Sequence, residues 1–237
     1  MYTFDGRIRF SEVDRDGRLT FAALLNYFQD CSTFQSEDIG LGVNYLKERN
    51  MVWVLSSWQI VVDKYPELCE RVKIGTIPYA FKGFVGYRNF AMTDMEGNYY
   101  AVANTLWSLL DLRTGKPAIP PQDMKDGYVL EERLPMDYAP RKIVVPEGGE
   151  SCDTIVVKKH HLDTNGHVNN GQYVALAIEF LPEGFEIRQM RAEYKRQAFL
   201  DDVFYPYVAK DNGRYIISLM DDSGKPYVVV EFTGRED

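Results

Sequence analysis

The three histidines of this 237-residue chain, His160, His161 and His167, lie in one short stretch of sequence. Asp163 and Asn165 lie between the second and the third of them. An imidazole gains or loses a proton near neutral pH, and a neighbouring carboxylate or amide can hold a reacting water molecule. Residue types and spacing therefore predict a proton-transfer site, with Asp163, Asn165 and His167 as its catalytic candidates.

A tight turn and the helix after it must position these side chains. Asn165-Gly166 is a turn sequence that places Asp163 and His167 on either side of a loop. Apolar residues then recur from Tyr173 to Phe180 at i, i+3, i+4 and i+7, which predicts a helix. Backbone N–H groups at a helix start are unpaired and partly positive, so they can polarise a carbonyl oxygen as charge builds on it.

The same turn and helix occur earlier in the chain. Segment 14–19 (DRDGRL) aligns with segment 163–168 (DTNGHV) at a constant offset of 149 positions. That offset also relates the apolar stripe beginning at Leu24 to the one beginning at Tyr173, and Thr20 is the expected N-cap of the first helix. A repeat of this period predicts two copies of one domain.

The composition between the copies suggests where one domain ends. Segment 131–151 contains three prolines and a Gly-Gly pair, which suits an extended linker. We therefore expect an N-terminal domain at 1–130 and a C-terminal domain at 152–237 that carries the candidate site. Runs rich in β-formers, separated by short turns, predict antiparallel sheet. These runs are 52–55, 58–62, 99–110, 154–157, 214–219 and 227–232. Each copy should be an α+β unit in which one helix packs on a curved antiparallel sheet.

Overall composition narrows the possible functions. A net charge of −8 and a pI of about 5.0 argue against nucleic-acid binding, which needs a cationic surface. No stretch is long and apolar enough to predict a membrane span. Three cysteines without CxxC spacing indicate a reducing compartment, so we expect a cytoplasmic protein.

Other interpretations of the same residues stay open at this stage. Asp163 can simply cap its turn while His167 lies at the surface. His161, Asp163 and His167 form H-x-D-x-x-x-H, a spacing that suits zinc, although the sequence offers no distal ligand. Cys152 is a candidate nucleophile, but its acidic neighbours should raise the pKa of its thiol. We expect no metal and no cofactor.

Segment 161–170 (HLDTNGHVNN) closely resembles the active-site motif of acyl-[acyl carrier protein] thioesterases. Segments 10–20 (FSEVDRDGRLT) and 24–30 (LLNYFQD) resemble the start of bacterial members of that family. The resemblance covers essentially the whole chain. It implies two tandem hot-dog domains, each a curved antiparallel sheet wrapped around a central helix.

The resemblance also carries over residue by residue. Asp163, Asn165 and His167 match the catalytic Asp, Asn and His of the family. Gln197 falls where the family usually has Glu, and Ala198 falls where many plant members have Cys. An amide can hydrogen-bond a water molecule but cannot act as a base. This departure leaves Asp163 as the only carboxylate in the matched set.

The function implied is hydrolysis of fatty acyl-[acyl carrier protein] to free fatty acid, which ends chain elongation. An acyl-CoA thioesterase and a non-catalytic acyl-binding double hot-dog are the alternatives. An acidic carrier protein needs basic contacts, for which the candidates are Lys158, Lys159, Arg188, Arg191, Lys195 and Arg196. Candidates to line an acyl tunnel in the first copy are Leu24, Phe28, Val54, Trp58 and Ile60. The chain is expected to be a monomer, as a pseudo-dimer, or a homodimer.

Overall fold

The computed structural model of the protein describes residues 1–235. Contacts divide the chain into two compact units, Met1–Ser56 with Ile60–Tyr138, and Ser57–Gln59 with the chain from Ala139 onward. The division after Tyr138 falls inside segment 131–151. Among residues 1–235, no helix has the length and apolar character needed to cross a membrane.

The first unit is an antiparallel sheet with one long helix. Its strands are β1 (Tyr2–Arg7), β2 (Met51–Val62), β3 (Arg71–Lys82), β4 (Val85–Thr93), β5 (Tyr99–Asp111) and β6 (Lys116–Pro117). Its helices are α1 (Phe21–Asp38), α2 (Val43–Glu48) and α3 (Gln122–Gly127), and a 3-10 turn covers Phe10–Glu12. The strand order is β1-β3-β4-β5-β2, with β6 paired to β5.

Helix α1 confirms the prediction of a helix from the apolar residues that recur from Leu24. The Thr20 hydroxyl accepts the backbone N–H of Ala23 at 3.2 Å, so Thr20 is the N-cap. Leu24 and Phe28 are buried, and the Phe28 ring lies 5.4 Å from that of Phe90 on β4. Burying each such side chain contributes roughly 1.5–3 kcal/mol. The helix is therefore held by the apolar face that its sequence period predicts.

The second unit repeats this plan with a shorter helix. Its strands are β7 (Glu150–Ser151), β8 (Ile155–Val156), β9 (Ile187–Tyr194), β10 (Val203–Asp211), β11 (Arg214–Met220) and β12 (Pro226–Gly234). A 3-10 turn covers Lys159–His161, and the helix is α4 (Asn170–Ile178). The order is β9-β12-β11-β10, with β7 and β8 both paired to β10.

Helix α4 is shorter than its sequence stripe predicts. Tyr173, Val174 and Ala177 are buried, and the Tyr173 ring lies 5.6 Å from that of Phe204 on β10. The helix ends at Ile178, so the expectation that Phe180 continues the stripe is wrong. A proline at position 182 disfavours helical backbone just before it, and the chain turns earlier.

All six β-rich runs contain strand, in β2, β5, β8, β11 and β12. The runs 52–55 and 58–62 form one continuous strand, β2. β1, β3, β4, β9 and β10 were not singled out in the sequence. In β3, β4 and β9, buried polar residues interrupt the apolar pattern.

The segment after α3 has no regular structure, yet it packs on the first unit. Asn89 on β4 is fully buried, and its Oδ1 accepts the Leu134 N–H and the Tyr138 hydroxyl, each at 3.0 Å. Leu134 packs on Ile77 and Ala91, which alternate with the residues facing α1. Residues 131–138 therefore cover the sheet face opposite α1.

Residues 139–149 do the same for the second unit. Ile143 is buried against Ile216 and Val229, and its backbone N–H donates to Glu193 Oε2 at 3.1 Å. The Arg191 guanidinium donates to the Lys142 carbonyl at 3.0 Å and also to Pro140. The expected linker is thus fixed to the units by side-chain-to-backbone hydrogen bonds.

Replacing Asn89 with Ala tests the first of these attachments. The buried Leu134 N–H would lose its acceptor, whereas the Tyr138 hydroxyl would keep the Leu134 carbonyl, which lies 2.7 Å away. We expect Asn89→Ala to lower the free energy of unfolding by about 2–3 kcal/mol, measured by urea denaturation. Asn26→Ala, at an exposed position of α1, should change it by less than about 0.5 kcal/mol. Equal effects would contradict the attachment.

Candidate functional site

Turn 163–167 is held by the carboxylate at its first position. Asp163 Oδ1 accepts the backbone N–H of Asn165 at 2.8 Å and that of His167 at 3.2 Å. The Asp163 N–H donates to the His167 carbonyl at 2.7 Å, and the Gly166 N–H donates to the Asp163 carbonyl at 3.1 Å. Gly166 has φ +77°, a conformation that favours glycine. Asp163 and His167 are thereby fixed at the two ends of one turn.

The same turn occurs in the first unit. Asp14 Oδ1 accepts the N–H of Asp16 at 2.9 Å and that of Arg18 at 3.0 Å, and Gly17 has φ +76°. Hairpin turns headed by Asp94 and Asp221 use the same two bonds. Oδ1 of Asp163 therefore closes its turn with the same two hydrogen bonds that close these other turns. Its Oδ2 makes no hydrogen bond within residues 1–235.

The repeat extends beyond the turn to its backbone supports. The Val168 N–H donates to the Ala198 carbonyl at 2.9 Å, as the Leu19 N–H does to the Pro66 carbonyl at 2.9 Å. The Asn169 N–H donates to the His161 carbonyl at 2.8 Å, as the Thr20 N–H does to that of Glu12 at 2.9 Å. One main-chain framework thus supports both turns.

Side chains on this framework differ between the copies. His167 and Asn165 replace Arg18 and Asp16, and His161 replaces Glu12. Ala198 and Pro66 supply the carbonyls that support the two turns. The residue before Ala198 is Gln197, and the residue before Pro66 is Tyr65. The second copy alone therefore carries the imidazole and amide groups that the sequence singled out.

His167 packs against the segment that supports its turn. Its ring lies 4.9 Å from the Phe199 ring, edge to face, and is partly exposed. Phe199 is 52% exposed, which is high for a phenylalanine. The buried Tyr173 hydroxyl accepts the Ala198 N–H at 2.9 Å. Sequence reasoning missed Phe199 and Tyr173, because the period of α4 marks Tyr173 only as a core residue.

The four predicted catalytic residues fall on two neighbouring segments. Asp163, Asn165 and His167 share the turn, and Gln197 directly precedes Ala198, whose carbonyl binds the residue after His167. Asn165 and Gln197 are exposed, while Asp163 and His167 are half-buried. The structure gives no hydrogen bond between the side chains of Asp163 and His167 within its described part.

The start of α4 offers fewer open amides than the sequence suggests. Asn169 is the N-cap, and its Oδ1 accepts the Gly171 N–H at 2.8 Å. Its carbonyl accepts the Gln172 N–H at 2.9 Å. These two amides are already satisfied by Asn169, so they do not polarise a substrate carbonyl.

The zinc and cysteine interpretations gain no geometric support. Within residues 1–235, no three His, Cys, Asp or Glu side chains converge as metal ligands, so His161, Asp163 and His167 do not form a set. The His161 Nδ1 instead accepts the Lys158 N–H at 3.0 Å. Burial, helped by Glu150 and Asp153, raises the pKa of the Cys152 thiol, which keeps it protonated at neutral pH.

The first unit contains an apolar cavity of about 160 Å³. It is lined mainly by side chains of β2 to β5, α1 and the segment around α2. Its large apolar lining residues are Leu41, Leu46, Trp53, Phe81, Trp107 and Tyr128. None of the five tunnel candidates lines this cavity. Leu24, Phe28, Trp58 and Ile60 are core side chains, and Val54 neighbours Trp53, which does line it.

Most of the basic candidates already have partners. Arg191 pairs with the buried Glu231 at 2.9 Å, Lys195 pairs with Glu193 at 2.9 Å, and Arg196 pairs with Asp221 at 2.8 Å. Arg188 also has an interaction. Lys158 and Lys159 are exposed and form no ion pair within residues 1–235. They directly precede His160 and His161.

Two family models match the chain, one in each half. The model for the acyl-ACP thioesterase N-terminal domain matches residues 1–128, and that for the C-terminal domain matches residues 147–218. A chloroplastic acyl-[acyl-carrier-protein] hydrolase of Cuphea viscosissima is 24% identical over 225 residues, covering 86% of this chain and 53% of that protein. The chain spans about half the length of the curated relatives it matches.

Solved structures show the same fold along the whole chain. An acyl-ACP thioesterase from Bacteroides thetaiotaomicron superposes with a TM-score of 0.89 at 25% identity, covering 98% of this chain and 97% of that one. A 12:0-ACP thioesterase from Umbellularia californica superposes with a TM-score of 0.88 at 20% identity, covering 100% and 98%.

The fold defines a tandem hot-dog protein whose second domain carries the turn with Asp163, Asn165 and His167. The expected α+β class, in which each antiparallel sheet packs around one helix, is confirmed. Because both domain models match in order, the chain belongs to the acyl-ACP thioesterase family.

The buried His161 should make stability depend on pH. It is 6% exposed, and burial, together with the charges of His160 and Lys158, lowers the pKa of its imidazole. The unfolded chain takes up this proton near pH 6.5. The folded chain takes it up only at lower pH, so stability is full above pH 6.5 and falls as the pH drops through the folded pKa.

His161→Asn removes this titration but keeps an oxygen that can accept the Lys158 N–H. We expect the difference in unfolding free energy between pH 7 and pH 5 to be smaller in His161→Asn than in the wild type. The comparison variant is His160→Asn, at an exposed position, which should reduce the difference less, because it removes the charge of His160 but leaves His161 buried. Urea denaturation at both pH values measures it, and an unchanged difference in His161→Asn would refute the role of His161.

Proposed function

We propose that this protein hydrolyses the thioester of fatty acyl-[acyl carrier protein] and releases a free fatty acid. The observation that carries the proposal is turn 163–167, which presents Asn165 and His167 beside Asp163, whereas the first unit has Asp16 and Arg18 beside Asp14. The matched C-terminal family model includes this turn. Relatives named as acyl-[acyl-carrier-protein] hydrolases support the substrate class.

The chemistry requires little acid assistance. A thiol leaving group has a pKa of about 8.5, so it departs readily once a tetrahedral intermediate has formed. In our mechanism, the His167 imidazole takes a proton from a water molecule as the water oxygen attacks the thioester carbon. That proton then passes to the departing sulfur. Asp163 Oδ2, which the turn does not use, accepts a hydrogen bond from the same water.

Amide groups rather than a second carboxylate complete the site in this proposal. The exposed side chains of Asn165 and Gln197 each offer N–H donors. Such a donor stabilises the carbonyl oxygen as negative charge develops. Because two amides at the start of α4 are engaged by Asn169, these side chains take over part of that task.

We assign the acyl chain to the cavity of the first unit. Its lining is largely aromatic and aliphatic, as expected for an apolar chain. A volume of about 160 Å³ is close to that of a protein cavity which holds benzene, so it accommodates a short apolar segment of roughly that bulk.

Two variants of Asp163 separate its structural role from its chemical one. Asp163→Asn keeps a side-chain oxygen for the two turn bonds but cannot act as a carboxylate. We expect kcat to fall by a factor of about 100 or more, with unfolding free energy within about 0.5 kcal/mol of wild type. Asp163→Ala should lose activity and also about 1–2 kcal/mol of stability.

The first unit supplies the matched control. Asp14→Ala should cost a similar amount of stability, because it removes the same pair of bonds, while Asp14→Asn should leave activity near wild type. Hydrolysis of acyl-carrier substrates and urea denaturation provide the two measurements. Full activity of Asp163→Asn would overturn the assignment.

Docking of the acidic carrier protein is proposed at Lys158 and Lys159. Within the described part of this acidic chain they form no ion pair and lie beside the site in sequence, whereas Arg191, Lys195 and Arg196 are engaged in ion pairs. Complementary charge of this kind acts mainly on encounter with the partner.

Charge reversal tests this surface. Lys158→Glu with Lys159→Glu should raise KM about tenfold for acyl-carrier substrates and leave KM for acyl-CoA substrates within about twofold. Reversal of Lys47 and Lys116, which lie in the first unit, is the control and should change neither. Equal changes for both substrates would exclude a carrier-specific surface.

The same assays decide between the alternatives. Preference for acyl-CoA by the wild type would favour an acyl-CoA thioesterase, and binding without turnover would favour a non-catalytic module. We place the reaction in the cytosol, a proposal supported by three free cysteines, of which Cys69 is exposed.

A further inference from the structure

Arg88, on β4 of the first unit, is buried and has no counter-ion among residues 1–235. It is 8% exposed, and its Nη1 donates to Thr76 Oγ1 at 3.1 Å and to Gln35 Oε1. Both acceptors are neutral. Its guanidinium also lies 5.5 Å from the centre of the Tyr128 ring.

No carboxylate neutralises this charge in the described part of the chain. Taking an unpaired cation out of water costs several kcal/mol, and two neutral acceptors on one nitrogen recover only part of it. Burial accordingly lowers the pKa of the guanidinium. Most buried charges in proteins are paired, so Arg88 is an unusual group to keep in a core.

Arg88 lines the apolar cavity, where its remaining donors are available. Around it stand Trp53, Phe81, Trp107 and Tyr128, none of which carries a charge. Among residues 1–235, the one carboxylate in the lining is that of Glu37, which is exposed and accepts the Val43 N–H at 2.8 Å. The cavity therefore combines an apolar wall with one uncompensated positive charge.

We propose that this cavity binds a carboxylate attached to an apolar chain, with Arg88 as the anion-binding residue. A guanidinium offers two parallel N–H donors that match the two oxygens of a carboxylate. The anion supplies the missing counter-charge, while its chain replaces water against the aromatic lining. A methyl end in the same place supplies no counter-charge to the guanidinium, so a chain that carries a carboxylate should bind there more tightly than one that ends in a methyl group.

Two kinds of ligand carry a carboxylate on an apolar chain. A free fatty acid can enter with its carboxylate first, and it would then occupy the cavity as an inhibitor. Alternatively, an acyl thioester with a second carboxylate at its far end can place that group on Arg88 as a substrate. The binding site itself does not depend on the proposed hydrolysis, although the second source does.

Binding to the full-length protein is measured first, by calorimetry and by the fluorescence of Trp53 and Trp107. The probes are octanoate, methyl octanoate and octanol, which share an apolar chain but differ in charge. We expect the wild type to bind octanoate at least tenfold more tightly than either neutral probe. The neutral probes binding as tightly as octanoate would overturn the proposal.

Variants of Arg88 test whether this residue causes the preference for octanoate. Arg88→Met should abolish the preference for octanoate, and Arg88→Lys, which keeps the charge but not the paired donors, should retain part of it. Arg113→Met removes an exposed arginine elsewhere in the unit and should keep the full preference. An equal loss of affinity for octanoate and methyl octanoate in both Arg88 variants would show that Arg88 is only structural.

Kinetics then separate the two sources. If free acids are the ligand, octanoate should inhibit hydrolysis of octanoyl-CoA, and Arg88→Lys should weaken that inhibition. If the far end of the substrate is recognised, kcat/KM for suberoyl-CoA should exceed that for octanoyl-CoA about tenfold, and Arg88→Met should reverse the order. Failure of hydrolysis with octanoate binding intact would refute the proposed function alone.

Discussion

A carboxylate oxygen that accepts two backbone N–H groups within its own turn is the interaction on which the candidate site depends. Asp163 uses it to close the turn before α4, and Asp14 uses it before α1. The closed turn sets the direction in which the chain enters the helix, so the N-cap residue meets the first free amides. A residue on the turn is therefore placed by main-chain geometry, whatever its side chain.

This arrangement allows the two units to share a framework and differ in chemistry. The supporting bonds, from Val168 to Ala198 and from Leu19 to Pro66, join backbone atoms only. Because the framework needs no particular side chain at the positions of His167 or Arg18, those positions are available for function. In the mechanism that we propose, stability and reactivity therefore depend on different atoms of the same short segment.

Most of what the sequence could predict came from the internal repeat and from the spacing of apolar residues. The helix that begins after Thr20, the antiparallel strands and the stretch around Asp163 all follow from local patterns. Other features depend on residues far apart in the chain. The register of β9 and β12 sets the pairing of Arg191 with Glu231, and Arg196 pairs with Asp221, 25 positions away, so these cations looked available in the sequence. Likewise, no local pattern shows which side of β2 faces a cavity, which is why Trp53 was missed beside Val54.

The irregular stretch between the two units has the composition of a flexible linker, yet its backbone is anchored on a buried amide at Asn89 and a buried carboxylate at Glu193. Amide exchange and proteolysis depend on local opening rather than on the absence of helix or strand. Leu134 and Ile143 should therefore exchange their amide hydrogens slowly, and a protease should cut at the exposed hairpin tips before it cuts there. Truncation boundaries chosen from composition alone would strip each sheet of part of its cover.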